Sequence, residues 1–254
     1  MVDGKTAFLG GFNVGDEYLS RDSDPVWRDT HFVLSGPIVL SAQMTFLQDF
    51  ISCGGEMPEV DWNAFEQSSG VSRCALVRSG PYGPYSRCCH LHLSAINRAQ
   101  RRLWLATPFF APDEAGLAAL EHAVLRGVEV RVLMPGASDV GLADLAAWSY
   151  IEQLAPLGVR FYRFDEGAMH QKIVLVDEHL VLTGSANLDY RSFHLNHEII
   201  LWTEDPEFAR EVEDMLLADF EYCHLVSSDE IASRSRWARG KTSLARMVDL
   251  VVNC

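Results

Sequence analysis

The stretch MHQKIVLVDEHLVLTGSAN holds His170, Lys172 and Asp177, followed by Gly184, Ser185 and Asn187. Alternate side chains of a strand point to the same side, so His170 and Lys172 would leave one face together. Asp177 falls at the strand end, before a Glu178-His179 turn, and the return strand brings Ser185 and Asn187 back beside the first pair. An imidazole, an ammonium, a hydroxyl and an amide then converge on one point, which suits a tetrahedral phosphate. Lys172 and Asn187 would hold its oxygens while His170 acts as nucleophile or proton carrier. A lone H-x-K would mean no more than two polar residues on a half-exposed strand. The whole string H-x-K-x4-D-x6-G-S-x-N is far more restrictive.

The elements that must position this string alternate in type from about residue 100 onward. Residues 103–107 read as a short strand stopped by Pro108. Residues 113–126 read as a helix with acids in its first turn and Gly127 as its stop. A strand over 128–134, a helix over 140–157 closed by Gly158, and a strand over 159–164 follow. Three apolar stretches near 170–176, 180–183 and 198–202 precede a last helix from about 206 to 222. Strands separated by helices of this length predict an α/β sandwich with a largely buried sheet.

The first residues repeat the end of that unit. Asp3, six residues, then Gly10-Gly11-Phe12-Asn13 matches Asp177, six residues, then Gly184-Ser185-Ala186-Asn187. Phe46-Leu-Gln-Asp-Phe50 likewise matches Leu216-Leu-Ala-Asp-Phe220. The chain therefore reads as an internal duplication whose second copy is whole and whose first is a tail. The expected division is residues 1–51 as the remnant of a first lobe, 52–73 as a polar linker, 74–225 as a complete second lobe, and 226–254 as a basic and apolar tail.

Over 254 residues the net charge is −14, which weighs against non-specific affinity for nucleic acid or anionic lipid across the whole surface. The exception is Arg234 to Arg246, with five positive charges, no acid, and an apolar run behind it, a pattern that suits an anionic membrane surface as well as a solvated helix. No stretch is long and apolar enough to span a bilayer, and no signal peptide is visible at Met1. The six cysteines lack C-x-x-C spacing, which argues for free thiols rather than structural zinc or a disulfide framework.

The string resembles the signature of the phospholipase D superfamily. Trp27-Arg28-Asp29-Thr30-His31, Ser79-Gly80-Pro81, Thr107-Pro108-Phe109-Phe110-Ala111-Pro112-Asp113 and Asn187-Leu188-Asp189-Tyr190-Arg191-Ser192 further resemble its bacterial cardiolipin synthases. The resemblance implies a duplicated α/β sandwich with mixed sheets, here with the first lobe incomplete, and two H-x-K-D motifs meeting at one site. It implies covalent catalysis without metal or other cofactor: one histidine attacks phosphorus, and the other protonates the leaving alcohol and deprotonates the incoming one. The implied substrate is phosphatidylglycerol, two molecules giving cardiolipin and glycerol, at the cytoplasmic side of a bacterial membrane to which the chain binds peripherally. His170, Lys172, Asp177 and Glu198 are the implied catalytic residues. Ser185, Asn187 and Asn13 would bind phosphate, with Asp3, Asp29 and Gly184 in support. Glu198 would accept the hydrogen bond from His170, and the repeat gives Asp29 the same role in the first copy.

Counting back from Asp3, the first histidine would lie five positions before Met1 and its lysine three before it. The preferred reading is that these residues are part of a longer cardiolipin synthase. The alternatives are a homodimeric phosphodiesterase or nuclease that pairs two copies of His170, and a catalytically dead remnant that binds lipid or a partner. The acidic charge weighs against the nuclease.

Overall fold

The computed structural model describes residues 1–19, 27–62, 70–83, 85–136, 141–235, 237–242 and 245–246. Val140, Arg236, Cys254, the apolar run 247–252 and part of the expected linker lie outside the described residues. The chain opens with β1 (Thr6–Gly10), β2 (Trp27–Arg28), β3 (His31–Ser35) and α1 (Ile38–Ser52). Next come β4 (Arg73–Ser79), α2 (Arg87–Arg98), β5 (Arg102–Ala106), β6 (Phe110–Ala111) and α3 (Glu114–Leu125). β7 (Glu129–Pro135), α4 (Gly141–Leu154), β8 (Arg160–Phe164), β9 (Ala168–Met169) and β10 (Ile173–Val176) follow. The chain then runs through β11 (Leu180–Gly184), β12 (Leu188–Asp189), α5 (Tyr190–His194), β13 (Glu198–Glu204), α6 (Pro206–Phe220), β14 (Cys223–Leu225) and α7 (Ser228–Ser233).

Eight strands form one mixed sheet in the order β14-β8-β7-β5-β10-β11-β13-β4. β5, β7 and β8 are parallel, and every other neighbouring pair is antiparallel. β10 (IVLV) and β11 (LVLTG) are buried at every position. Their unbroken apolar runs are what a strand covered on both faces requires, and α2 and α6 both pack on them. α6 starts where Asp205 caps it and Pro206 presets its first turn.

One expectation shifts. The strand predicted over 170–176 begins only at Ile173, because residues 168–169 leave the main sheet and pair with β2 instead. The His170 amide then donates to the Arg28 carbonyl at 2.7 Å.

β1 and β3 form a separate antiparallel ribbon. Its register repeats that of β11 and β13: Gly10 faces His31, two residues after Asp29, as Gly184 faces Ile200, two after Glu198. Ala7, Leu9, Leu34 and Val39 pack this ribbon and α1 against Leu201. Between ribbon and main sheet, Arg28 grips Asp219 with two hydrogen bonds of 2.6 and 2.8 Å. Gln171 donates to Asp219 at 3.0 Å and to Thr30 Oγ1 at 2.8 Å. The Arg28→Ala chain should lose about 3 kcal/mol of stability in urea melts, since Asp219 keeps a buried charge without its partner; a loss below about 1 kcal/mol would show that the pair is ornamental.

The basic tail turns partly inward. Arg234 stacks on Trp148 and binds Glu152, and Arg246 stacks on Tyr150. Lys241 lies over Trp237, which is exposed. Among the described residues no helix is long and apolar enough to cross a membrane.

Candidate active site

His170 sits where the ribbon meets the large sheet. Asp29, whose side chain is 0% exposed, accepts from Thr30 N–H at 2.7 Å through Oδ1 and lies 2.9 Å from His170 Nδ1 through Oδ2. A carboxylate only accepts, so Nδ1 carries the proton and the Nε2 lone pair faces Lys172 Nζ. The Tyr18 hydroxyl donates to Asp29 Oδ2 at 3.2 Å and lies 3.0 Å from His170 Nδ1. Trp27 packs against the imidazole, ring centres 5.9 Å apart. Burial raises the pKa of Tyr18, and the Asp29 charge adds to this, so the phenol stays protonated.

Lys172 Nζ lies 3.1 Å from His170 Nε2 and donates to the His170 carbonyl at 2.6 Å. Burial brings this ammonium down to about 8, against the attraction of Asp29, Glu198 and Asp189. Three carboxylates thus surround one buried cation. A phosphate entering here would meet a lysine that is charged at neutral pH and loses that charge as the pH rises through about 8.

The position expected for Glu198 needs correcting. It bonds to Ser185 Oγ through Oε2 and accepts from Asn196 at 3.2 Å through Oε1, while His170 pairs with Asp29. The reason is geometric. β13 carries Glu198 beside β11, so it meets the residue after Gly184, whereas the β2–β9 pairing carries Asp29 across to the second copy. Asp177 is also displaced from the expected catalytic group. It lies beyond the opposite end of β10, about 20 Å along an extended chain from His170, and accepts from the backbone N–H groups of Gln100, Arg101 and Arg102.

Asn187 is half-buried near Asp189, its Nδ2 at 3.5 Å from Oδ2. Burial raises the pKa of Asp189, whose Oδ1 caps α5 through Ser192 N–H at 2.7 Å. Asn13 is exposed beyond β1, and its backbone N–H faces the Tyr18 hydroxyl. Asp3 is exposed at a turn with φ 50°, the counterpart of Asp177 at φ 49°. Gly184 takes φ 151°, and a Cβ there would stand 2.0 Å from the Ile199 carbonyl oxygen. At Gly11, the counterpart of Ser185, a Cβ would stand 2.2 Å from Asp29 Oδ1, so only glycine lets that carboxylate lie against the backbone. Tyr18 has no counterpart in the expected site. Its spacing from the motif carries no signal, and only folding places it on His170.

A duplicated ribbon, a helix-covered mixed sheet and a His–Asp–Lys cluster at their junction define a phospholipase D-like fold. Residues 92–220 match the family described as cardiolipin synthase, PLD-like domain, and the chain belongs to that family. It is 42% identical over 253 residues to cardiolipin synthase A of Pseudomonas fluorescens SBW25, covering 99% of this chain and 53% of that protein. It is 40% identical to cardiolipin synthase A of Pseudomonas putida, covering 99% and 52%. The chain thus spans about half the length of these curated relatives. Among solved structures, phosphatidylserine synthase of Haemophilus influenzae matches with TM-score 0.72 and 14% identity over 98% of this chain and 68% of that one. Nuc of Salmonella typhimurium, a phospholipase D family member, matches with TM-score 0.53 and 24% identity over 61% of this chain and 100% of its own. At these identities the structural matches speak to the fold.

Proposed function

We propose that this chain carries half of a two-histidine phosphatidyl-transfer centre that joins two phosphatidylglycerol molecules into cardiolipin, releasing glycerol. The observation that carries this reading is the Asp29–His170 bond across the junction, with Lys172 against the same imidazole. Nε2 of one histidine attacks phosphorus, the bond from phosphorus to the leaving glycerol oxygen breaks, and a phosphohistidine forms. The other histidine donates the proton that glycerol takes away, then accepts one from the incoming alcohol, which displaces the histidine. Because the two copies share one register, Glu198 is the counterpart of Asp29, and we assign it to orient the second histidine of the centre. Ser185, Asn187 and Asn13 are assigned to the phosphate oxygens, and Asp3, Asp177 and Gly184 to supporting the loops that carry the site.

The ribbon belongs to a first lobe and residues 74–225 to a second. Phe8 and Phe46 are 53% exposed, whereas their counterparts Leu182 and Leu216 are 2% and 0% exposed. That apolar face is one that further protein covers in the working enzyme. The lipid is reached from the cytoplasmic membrane surface, where the chain binds peripherally. Incubation of this chain, within a protein that supplies the second histidine, with vesicles of labelled phosphatidylglycerol tests the reading: cardiolipin and glycerol in equal amounts are expected. Phosphatidate as the sole product, or cleavage of DNA with lipid untouched, would sink it.

A further inference from the structure

Away from His170, Cys89, Asp113 and His194 converge from three elements, one ligand atom of each within 4.8 Å of the others. Asp113 Oδ2 lies 2.7 Å from His194 Nε2 and 3.6 Å from Cys89 Sγ. We propose that these three side chains form a divalent metal site of the zinc class, with water as the fourth ligand.

The donor set selects the metal. A thiolate, an imidazole and a carboxylate suit zinc in tetrahedral geometry, whereas magnesium and calcium prefer oxygen alone. The ligands are also held from behind. Asp113 Oδ1 accepts from Gly116 N–H at 2.8 Å as the cap of α3, which leaves Oδ2 aimed at the cluster. Ser86 Oγ accepts from Cys89 N–H at 3.0 Å as the cap of α2 and donates to the Phe193 carbonyl, tying Cys89 to the residue beside His194. Tyr190 packs on the His194 ring, centres 4.6 Å apart, and sets its plane. Such outer partners are what orient ligands in metal sites. Burial, with the neighbouring Asp113 charge, pushes the Cys89 thiol up to about 12, so a bound metal has to displace its proton.

Access has the right asymmetry. Cys89 is 6% exposed, whereas the side chain of His194 is 31% exposed, so one quadrant opens to water. On loading, the Cys89 thiol proton is released to water and sulfur bonds to the metal, while the proton that His194 Nε2 gives to Asp113 passes through water to Nδ1, so that the Nε2 lone pair turns to the ion. Bonds of about 2.0 to 2.3 Å set the ligand atoms about 3.3 to 3.6 Å apart, so the Asp113–His194 contact opens by less than about 1 Å. The site clamps α2 and α3 to α5, the helix that follows Asn187 and Asp189. It takes no part in phosphoryl transfer and does not rest on that reading. Intervals of 24 and 81 residues separate the ligands, so the lack of C-x-x-C spacing could not reveal them.

The test is a cobalt titration of the metal-stripped 254-residue chain, followed by competition with zinc. One equivalent of cobalt should bind with a thiolate-to-cobalt absorption band and be displaced by zinc, and Cys53→Ser should behave as the parent. Cys89→Ser should lose the band, and His194→Gln should lower zinc affinity more than about 100-fold. No thiolate band in the parent, a band that survives Cys89→Ser, or unchanged affinity in His194→Gln would each overturn the proposal. If Cys89→Ser does not fold, the half-exposed His194 variant decides alone.

Discussion

With the second histidine supplied, the Asp29→Asn variant is expected to lose about a thousandfold in phosphatidyl transfer while keeping its fold, almost as damaging as His170→Ala, which should abolish transfer. The carboxylate makes Nδ1 the protonated nitrogen and leaves Nε2 free to attack or to accept a proton. An asparagine amide can turn its NH2 toward Nδ1, which favours the tautomer with the proton on Nε2 and removes the nucleophile. The imidazolium formed on proton uptake also loses its buried counter-charge. The fold should survive because the bond from Arg28 to Asp219, which holds the junction, does not involve Asp29.

Phosphohistidine trapping makes this decisive. Labelled phosphatidylglycerol, quenched in alkali and mapped by peptide, should mark a histidine in the parent and in Glu198→Gln differently. If Asp29 orients His170, label or proton transfer at His170 collapses in Asp29→Asn but persists in Glu198→Gln. Equal collapse of the His170 step in both variants would return Glu198 to the role that the resemblance implies. A rate that falls less than about tenfold in Asp29→Asn would show that the 2.9 Å contact has no part in the chemistry.

That contact marks the boundary of what the sequence makes legible. The string from His170 to Asn187 and its echo from Asp3 to Asn13 are local patterns, so their spacing is visible and the fold class follows from them. The parallel strands β5, β7 and β8 are legible for the same reason: β5 and β7 are apolar runs each followed by a glycine-ended helix, and β8 starts just after the second of those glycines. Which carboxylate serves which histidine is not local. The resemblance joins Glu198 to His170 within one copy, but the two-residue pairing of β2 with β9 exchanges the partners across the junction. A pairing of two residues leaves no periodic trace. Tyr18 and the Cys89 cluster are hidden similarly, because sequence separation of 152 residues from His170, or 24 and 81 between ligands, is set by topology and not by any repeat. β4 and α2 lack a clean pattern because α2 carries Cys88, Cys89 and His92 on its buried side, where aliphatic residues would have announced a core face.

The second large effect concerns stability. Replacing Asp177 by alanine should cost about 4 kcal/mol in urea unfolding at neutral pH, since three backbone N–H groups share one buried carboxylate and charged hydrogen bonds contribute about 1.5–3 kcal/mol each before compensation. The amides of Gln100, Arg101 and Arg102 donate to it at 2.9 to 3.1 Å, joining the start of β5 to the β10–β11 turn. Asp177 also stands at φ 49°, where a β-carbon is tolerated chiefly in Asp and Asn, so alanine adds backbone strain to the lost acceptor. Asp177→Gly removes the strain and keeps the loss of hydrogen bonds, and Asp177→Asn keeps the shape with a neutral acceptor. The expected order of stability is parent, Asn, Gly, Ala. Although burial opposes it, the amides of Arg102, Arg101 and Gln100 hold this carboxyl below its ordinary 3.8. Its contribution is therefore fully present above about pH 4 and is lost as the pH falls through the lower folded value. The gap between parent and Asp177→Asn should thus be constant from pH 7 to about 5 and shrink on further acidification. A gap that stays constant down to pH 2, or an alanine variant within about 1 kcal/mol of the parent, would show that these three bonds do not hold the turn.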